Sequence, residues 1–288
     1  MWVAAKRTPA PRPTVTLLSV RTPGTPRLAL LGVAAAFLLP ALSAGTATWQ
    51  EKASDHFQVF YLEDRVFASE VSRTAERLYS SISNELGFDR AVKKHHLAFW
   101  LWNDRCKIYL YPTRREYVLA TGAPAWSAGF VRYRERVIHS YEGSDTFLDS
   151  TLPHELAHIL FRELVGYDNP QVPRWLDEGV ARYAEGSDRE AIREQVRQRV
   201  RTTGYFPFTT LHNAQPRALD GDGVQTYYLQ AESVVSFLIE SYGSGRFVDL
   251  CANLRDGYPI DRALSFATGS RIASLQDLEA AWLRFIGG

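Results

Sequence analysis

Thr151-Leu152-Pro153-His154-Glu155-Leu156-Ala157-His158-Ile159-Leu160 sets an HExxH pattern inside an otherwise apolar, helix-competent run. On a helix of 3.6 residues per turn, His154 and His158 sit one turn apart and point the same way. Their imidazoles can therefore meet on one metal ion, with Glu155 beside it. In this pattern the histidines hold zinc and the glutamate acts as general base toward a metal-bound water. Free water, with a pKa of about 15.7, is a poor nucleophile, whereas water on a catalytic zinc ionises at roughly 7. Such a pattern arises by chance in about one chain in a hundred of this length. The plain alternative is thus a helix whose histidines are only satisfied polar groups, and the following stretch counts against it.

Twenty positions after His158 comes Glu178, inside Pro173-Arg174-Trp175-Leu176-Asp177-Glu178-Gly179-Val180-Ala181-Arg182-Tyr183-Ala184-Glu185. A catalytic zinc takes three protein ligands and keeps one open position, and two histidines with a glutamate are one known set. Glu178 is the natural third ligand. Gly166, Asn169, Pro170 and Pro173 supply a turn that ends the first helix and lets a second, starting near Trp175, run back past it. The longer HExxHxxGxxH pattern would need Gly at 161 and His at 164, where the chain has Phe161 and Leu164. Asp177 falls on a different face of the second helix from Glu178.

HELAH followed by WLDEGVARYAE resembles the gluzincin branch of the zincin metallopeptidases. It is most similar to the bacterial peptidase MA-like group, relatives of thermolysin and the membrane-alanyl aminopeptidases. The histidine-to-glutamate spacing is that of thermolysin-type enzymes, and WLDEG resembles the WLNEG of the aminopeptidases. The resemblance covers most of the chain after residue 50, with the two motifs as its specific part. It implies a zinc-dependent peptidase with one Zn2+ per chain, His154, His158 and Glu178 as ligands, Glu155 as base, and a peptide or protein substrate. By the same matching, Glu185 falls where a carboxylate often steadies a ligand histidine from behind; its other reading is a solvated acid at a helix end.

In the aminopeptidase relatives, a tyrosine at the start of a later helix donates a hydrogen bond to the tetrahedral oxyanion, a role worth about 2.7–4 kcal/mol. Tyr228 matches that position best, with Tyr227 as the fallback. Tyr228 also belongs to a 228, 231, 235, 238 stripe that reads as core. The same relatives carry a Gly-Ala-Met-Glu-Asn exopeptidase signature. With Met1 as its one methionine the chain cannot have it, which points toward an endopeptidase or a carboxy-directed enzyme.

The elements that must hold these residues follow from periodicity. His56 to Tyr61 and Lys107 to Tyr111 read as strands, and residues 66 to 86 as a helix capped by Gly87. Gly129 to Tyr133 and Arg136 to Ser140 read as two strands joined by a charged turn. In zincins a strand antiparallel to bound substrate runs beside the active-site helix, and by resemblance Trp126 to Val131 is the candidate for that edge; a paired interior strand is the other reading. From residue 189 on the chain reads as helical, with a charged stretch at 189 to 201 taken as a solvated face and a closing helix at Leu275 to Ile286. The fold class expected is α+β: a zincin-like amino-terminal lobe, with a mixed sheet and the active-site helix, over residues 45–188, and an all-helical lobe over 189–288.

Bulk composition excludes other classes. The 288 residues are 45% hydrophobic and 23% charged, an ordinary globular balance. The five basic residues of the first 44 face no acids, and the remainder carries 28 basic against 32 acidic residues, a net of −4. That charge gives no reason to expect nucleic acid as a partner. Residues 28 to 39 form an apolar run after basic residues, closed by Pro40 and small residues to Gly45, the pattern of a secretory signal peptide over 1–44 cleaved after Ala44 or Ala47. An uncleaved anchor is the alternative and would be the chain's one membrane contact, although the run is short of the roughly 20 residues of a span. The 27-residue lead is long for a signal, and a later start, such as at Val20, would shorten it. The expectation is an exported protein, periplasmic, secreted or envelope-associated in a bacterium.

Cys106 and Cys251 sit in no metal-type cluster and read as two buried thiols or one bridge. His56, His95, His96, His139 and His212 lack ligand spacing to the motif: His56 and His139 fall in strands, and His95, His96 and His212 in loops. Two other function classes share the residues of the motif. One is an inactive, zinc-stabilised envelope binding or scaffold protein, against which Glu155 argues, because a structural zinc usually has four protein ligands and no use for a base. The other is a zinc hydrolase of a non-peptide amide.

Overall fold

The computed structural model describes residues 48–88, 104–124 and 127–287. The leader read over 1–44, together with His95, His96 and Trp126, lies outside them.

Strands β1 (Gln50–Ala53), β2 (Phe57–Tyr61), β3 (Cys106–Tyr111), β4 (Phe130–Arg132) and β5 (Val137–Tyr141) form one sheet in the order β1-β2-β3-β5-β4. β2, β3 and β5 are parallel, and β1 and β4 flank them antiparallel. Side chains alternate between the faces of a strand, and the register aligns Val59, Ile108 and Ile138 in one fully buried row. The adjacent row, Phe60, Tyr109 and His139, lies on the other face, where neighbouring rings stack. Helix α1 (Arg65–Glu85), capped by Asp64 through the Phe67 N–H, packs on β2. Helix α2 (Arg114–Thr121) starts on the Thr113 hydroxyl and packs on β3 and β5. Of the two readings for the stretch around Val131, the fold has the edge: β4, which holds Phe130 and Val131, is one of the two outer strands of the sheet among the described residues.

A π-helical turn, Phe147–Thr151, runs directly into α3 (Leu152–Val165), which carries the HExxH sequence. Leu156, Leu160, Phe161 and Leu164 on α3 are fully buried, each stabilising the fold by about 1.5–3 kcal/mol. The helix packs on α1 and ends at Gly166, whose φ of 96° closes the last turn. Helix α4 (Arg174–Ala184) then returns along α3.

Six further α-helices follow: α5 (Arg189–Thr202), α6 (Phe208–Asn213), α7 (Gly221–Tyr242), α8 (Ser244–Arg255), α9 (Ile260–Thr268) and α10 (Leu275–Gly287). The fold class is therefore α+β with a helical carboxy-terminal part. Long α7 packs along α4 at a separation only glycine permits, since a Cβ on Gly179 would lie 2.5 Å from the Ala231 carbonyl oxygen. Helix α10 docks through buried Trp282, whose indole N–H donates to Ser233 on α7 at 2.9 Å. No helix among the described residues is long and apolar enough to cross a membrane.

Two sequence expectations are corrected here. His212 lies in α6 instead of a loop, because Pro207 opens a short helix that buries Phe208 and Leu211. The charged face of α5 is engaged with its neighbours: Arg189 pairs with Glu85, Arg193 with Glu240, Arg197 with the Ile286 carbonyl and Arg199 with Asp222 and Thr226. Of the two readings for the cysteines, the fold has buried thiols: Cys106 and Cys251 are both buried and both free.

Candidate metal centre

Helices α3 and α4 bring His154, His158 and Glu178 together, with their donor atoms within 4.8 Å of one another. His154 Nε2 and His158 Nε2 are 3.2 Å apart, and Glu178 Oε2 is 3.7 Å from His158 Nε2. Each histidine turns its other nitrogen outward to a carboxylate. His158 Nδ1 bonds Asp177 Oδ1 at 2.7 Å, and His154 Nδ1 bonds Glu185 Oε1 at 2.8 Å. With the Nδ1 protons committed to carboxylates, the neutral rings present two Nε2 lone pairs to each other, an arrangement that calls for a proton or a cation between them.

Each carboxylate is in turn held by an arginine. Arg162, one turn after His158 on α3, donates to Asp177 Oδ2, while Arg182 on α4 donates to both oxygens of Glu185 at 3.2 and 2.9 Å. Ser150 of the π turn also reaches Glu185, at 3.5 Å.

The charges follow from burial and pairing. Burial alone would lower the His158 imidazolium, but Asp177, then Glu178, outweighs it and raises the ring to about 10. Burial pushes Asp177 and Glu178 up, and the contacts with His158 more than reverse this, leaving both carboxyls below the usual range. Without a metal, then, a proton on His158 serves both rings. A divalent cation would replace that proton, and two imidazoles with one carboxylate are a donor set that fits zinc.

Glu155, beside the cluster, is raised above the ordinary carboxyl range by burial, against the pull of His158, His154 and a hydrogen bond from Tyr133. The Tyr133 hydroxyl donates to Glu155 Oε2 at 3.3 Å, its ring meets His158 edge-on, and Arg162 lies 4.7 Å from the ring centroid. Tyr133 stands in the turn between β4 and β5, which is fastened to α3 by the Arg136–Glu163 ion pair.

Tyr228 and Tyr227 both lie on α7, near enough to feel the charge of Glu178. The stripe that reads Tyr228 as core is only partly realised: Tyr227 is the fully buried ring and Tyr228 is half-buried. The Tyr227 hydroxyl is buried without a hydrogen-bond partner among the described residues. A cleft of about 460 Å³ opens behind Asp177, lined among others by Arg162, Arg174 and His212.

Sequence reasoning did not find Tyr133, Arg162, Arg182 or the role of Asp177. Asp177 does face away from the cluster, yet that direction takes it to the far nitrogen of His158. The signal available was an arginine one turn after His158 and an acid next to Glu178.

The model of the Peptidase MA superfamily matches residues 91–286 of the chain. This protein belongs to the Peptidase MA superfamily. Membership makes peptidase activity on a peptide substrate the general expectation, in a superfamily that is generally zinc-dependent. No curated protein matches the chain.

Proposed function

We propose that the protein is a gluzincin-type zinc peptidase, with His154, His158 and Glu178 holding the zinc and Glu155 as general base. The observation that carries this reading is the pair of Nε2 atoms 3.2 Å apart, each ring fixed from behind by a carboxylate. Bound there, zinc supplies Lewis-acid activation of water and of the scissile carbonyl.

The chain's own groups do the rest. Glu155 takes a proton from water and returns it to the leaving amine, a task suited to a carboxyl raised by burial. Tyr133 holds one oxygen of Glu155 and leaves the other for the proton. Tyr228, with Tyr227 as fallback, donates to the oxyanion of the scissile carbonyl. An extended peptide pairs with the outer edge of β4, whose backbone groups recognise many sequences. The reading includes a lobe over 45–188, a helical lobe over 189–288, and export directed by the apolar run at 28–39.

The test is zinc content together with hydrolysis of mixed peptides, with and without chelator, in the purified chain and in Glu155→Gln and Glu178→Ala. The proposal expects about one zinc per chain, activity abolished in Glu155→Gln with zinc retained, and zinc weakened in Glu178→Ala. Hydrolysis surviving in Glu155→Gln would remove the base assignment, and a chain that takes up no zinc would remove the whole reading.

A further inference from the structure

Behind Glu185 lies a carboxylate the chemistry above does not use. Glu232 is 3% exposed and sits one turn after Tyr228 on α7. Its Oε2 has no hydrogen-bond partner among the described residues, and neither does Arg182 Nε, 3.5 Å away. Gly179 brings them this close, because it allows α7 to approach α4 at Ala231, the residue before Glu232. Buried carboxylates are normally hydrogen-bonded, and one held short of a bond beside an arginine is costly to keep.

Arg182 already serves Glu185 through Nη1, and Glu185 serves His154. The groups therefore form a line, Glu232 to Arg182 to Glu185 to His154. The other charge acting on Glu232 is Arg189 of α5, which pairs with Glu85 at 2.7 Å and lies over the Tyr183 ring.

We propose that Glu232 is a positioning residue for His154: through Arg182 and Glu185 it sets how strongly the Nδ1 proton of His154 is held, and hence the affinity of the cluster for a divalent metal. This rests on the metal site proposed above and adds a regulator to it. When Glu232 is neutral, the charge of Arg182 falls wholly on Glu185 and weakens its hold on the imidazole. When Glu232 is ionised, Arg182 is shared between two carboxylates, Glu185 draws the Nδ1 proton harder, and Nε2 becomes the better donor. The added negative charge favours a cation in the same direction.

Burial, tempered by Arg182 and reinforced by Glu185, raises Glu232 to about 7, so this change falls near neutral pH. By reciprocity, metal binding draws the proton off Glu232.

The experiment measures zinc affinity of the full chain, by competition with a chromophoric chelator, between pH 5.5 and 8.5 (about three units spanning the transition). Wild type, Glu232→Gln and Glu232→Asp are compared. At the acid end Glu232 is neutral in wild type as it is in Glu232→Gln, so the ratio there is the baseline against which the alkaline end is read. Glu232→Gln is expected to match wild type at the acid end and to bind zinc about tenfold more weakly at the alkaline end, the low end of what outer partners of ligand histidines contribute. Glu232→Asp, which keeps an ionisable group, should recover part of that pH dependence.

A ratio that stays constant across the range, whether one or not, would overturn the inference while leaving the zinc site standing. Should Glu232→Gln fail to fold, Glu232→Asp against wild type decides, since the transition must shift with the new acid. A wild-type chain without zinc affinity would remove both readings.

Discussion

The two histidines are held by the same three-part device, imidazole to carboxylate to arginine, at different depths. On the His158 side, histidine and carboxylate side chains are 4% and 7% exposed; on the His154 side they are 23% and 11%. The deep arm ties α3 to α4, since His158 and Arg162 stand on one helix and Asp177 on the other. The shallow arm has its arginine and carboxylate together at the end of α4, and a third carboxylate, Glu232, behind them. Charges withdrawn from water must be compensated on the spot, so the deep arm is part of what holds the helices together. The shallow arm has water and a spare acid at hand and can be adjusted.

The largest expected effect breaks that contrast directly. Asp177→Ala leaves the His158 and Arg162 charges without their carboxylate, and removing one partner of a buried pair costs about 3–5 kcal/mol. Glu185→Ala should cost about 1 kcal/mol or less, because its partners keep access to solvent. Urea unfolding of both variants in chelator reads the difference, and equal losses would mean that the two arms do the same structural work. Zinc affinity should fall in both, by about 10- to 100-fold.

Glu232 sharpens the comparison through pH. Its carboxyl is raised from 4.5 to about 7 in the folded chain, a difference of roughly 3 kcal/mol at most. A group raised on folding adds stability that is full below its unfolded value and lost as pH climbs through the folded one. Metal-free wild type should therefore lose up to that amount between pH 4.5 and 8 relative to Glu232→Gln, as unfolding at a series of pH values would reveal. A difference that does not change with pH would show that Glu232 is not protonated in the fold. If the expected loss is seen, the shallow arm gains its metal affinity at neutral pH at some cost in stability.

Gly179→Ala should come next. Its Cβ would press on the Ala231 carbonyl, which is backbone and cannot swing aside, and overpacking of this kind costs about 1–3 kcal/mol. Because α7 would move off α4, the loss should fall on the Glu232–Arg182 contact and spare Asp177. Zinc titration of Gly179→Ala should therefore show the weakened pH dependence of Glu232→Gln; an unaltered dependence would separate the glycine from the arm.

What the sequence made legible follows the same division. His154, Glu155 and His158 were readable because one helix fixes their spacing, and Glu178 because a catalytic zinc needs a third ligand within a short turn. Four of the five strands and the principal helices could be read from alternation and helical period, but not the short β1 or the sheet order, which depends on pairings remote in sequence. Asp177 was set aside because it faces away from Glu178, a correct inference about direction that missed what stood there. Glu232 lies outside the 228, 231, 235, 238 stripe and was given no role from the sequence; only the close approach at Gly179 sets it against Arg182.

Tyr133 is the clearest case of a residue that spacing cannot reveal, and it carries the smallest expected effect. It lies 22 positions before Glu155, where the sequence reads the end of a strand and the fold has the turn after β4, and it reaches the base because Arg136 clamps the hairpin to α3. Tyr133→Phe removes the hydroxyl and leaves the ring against His158 and Arg162. Zinc content and fold should survive. The lost bond is long at 3.3 Å, which keeps its contribution to about 1 kcal/mol although its acceptor is the base carboxylate, so kcat should drop about fivefold with KM unchanged. A change in KM alone would assign Tyr133 to substrate binding at the β4 edge. A loss of zinc would place it with the deep arm, because the ring touches His158, and the contrast between the two arms would then extend to the base itself.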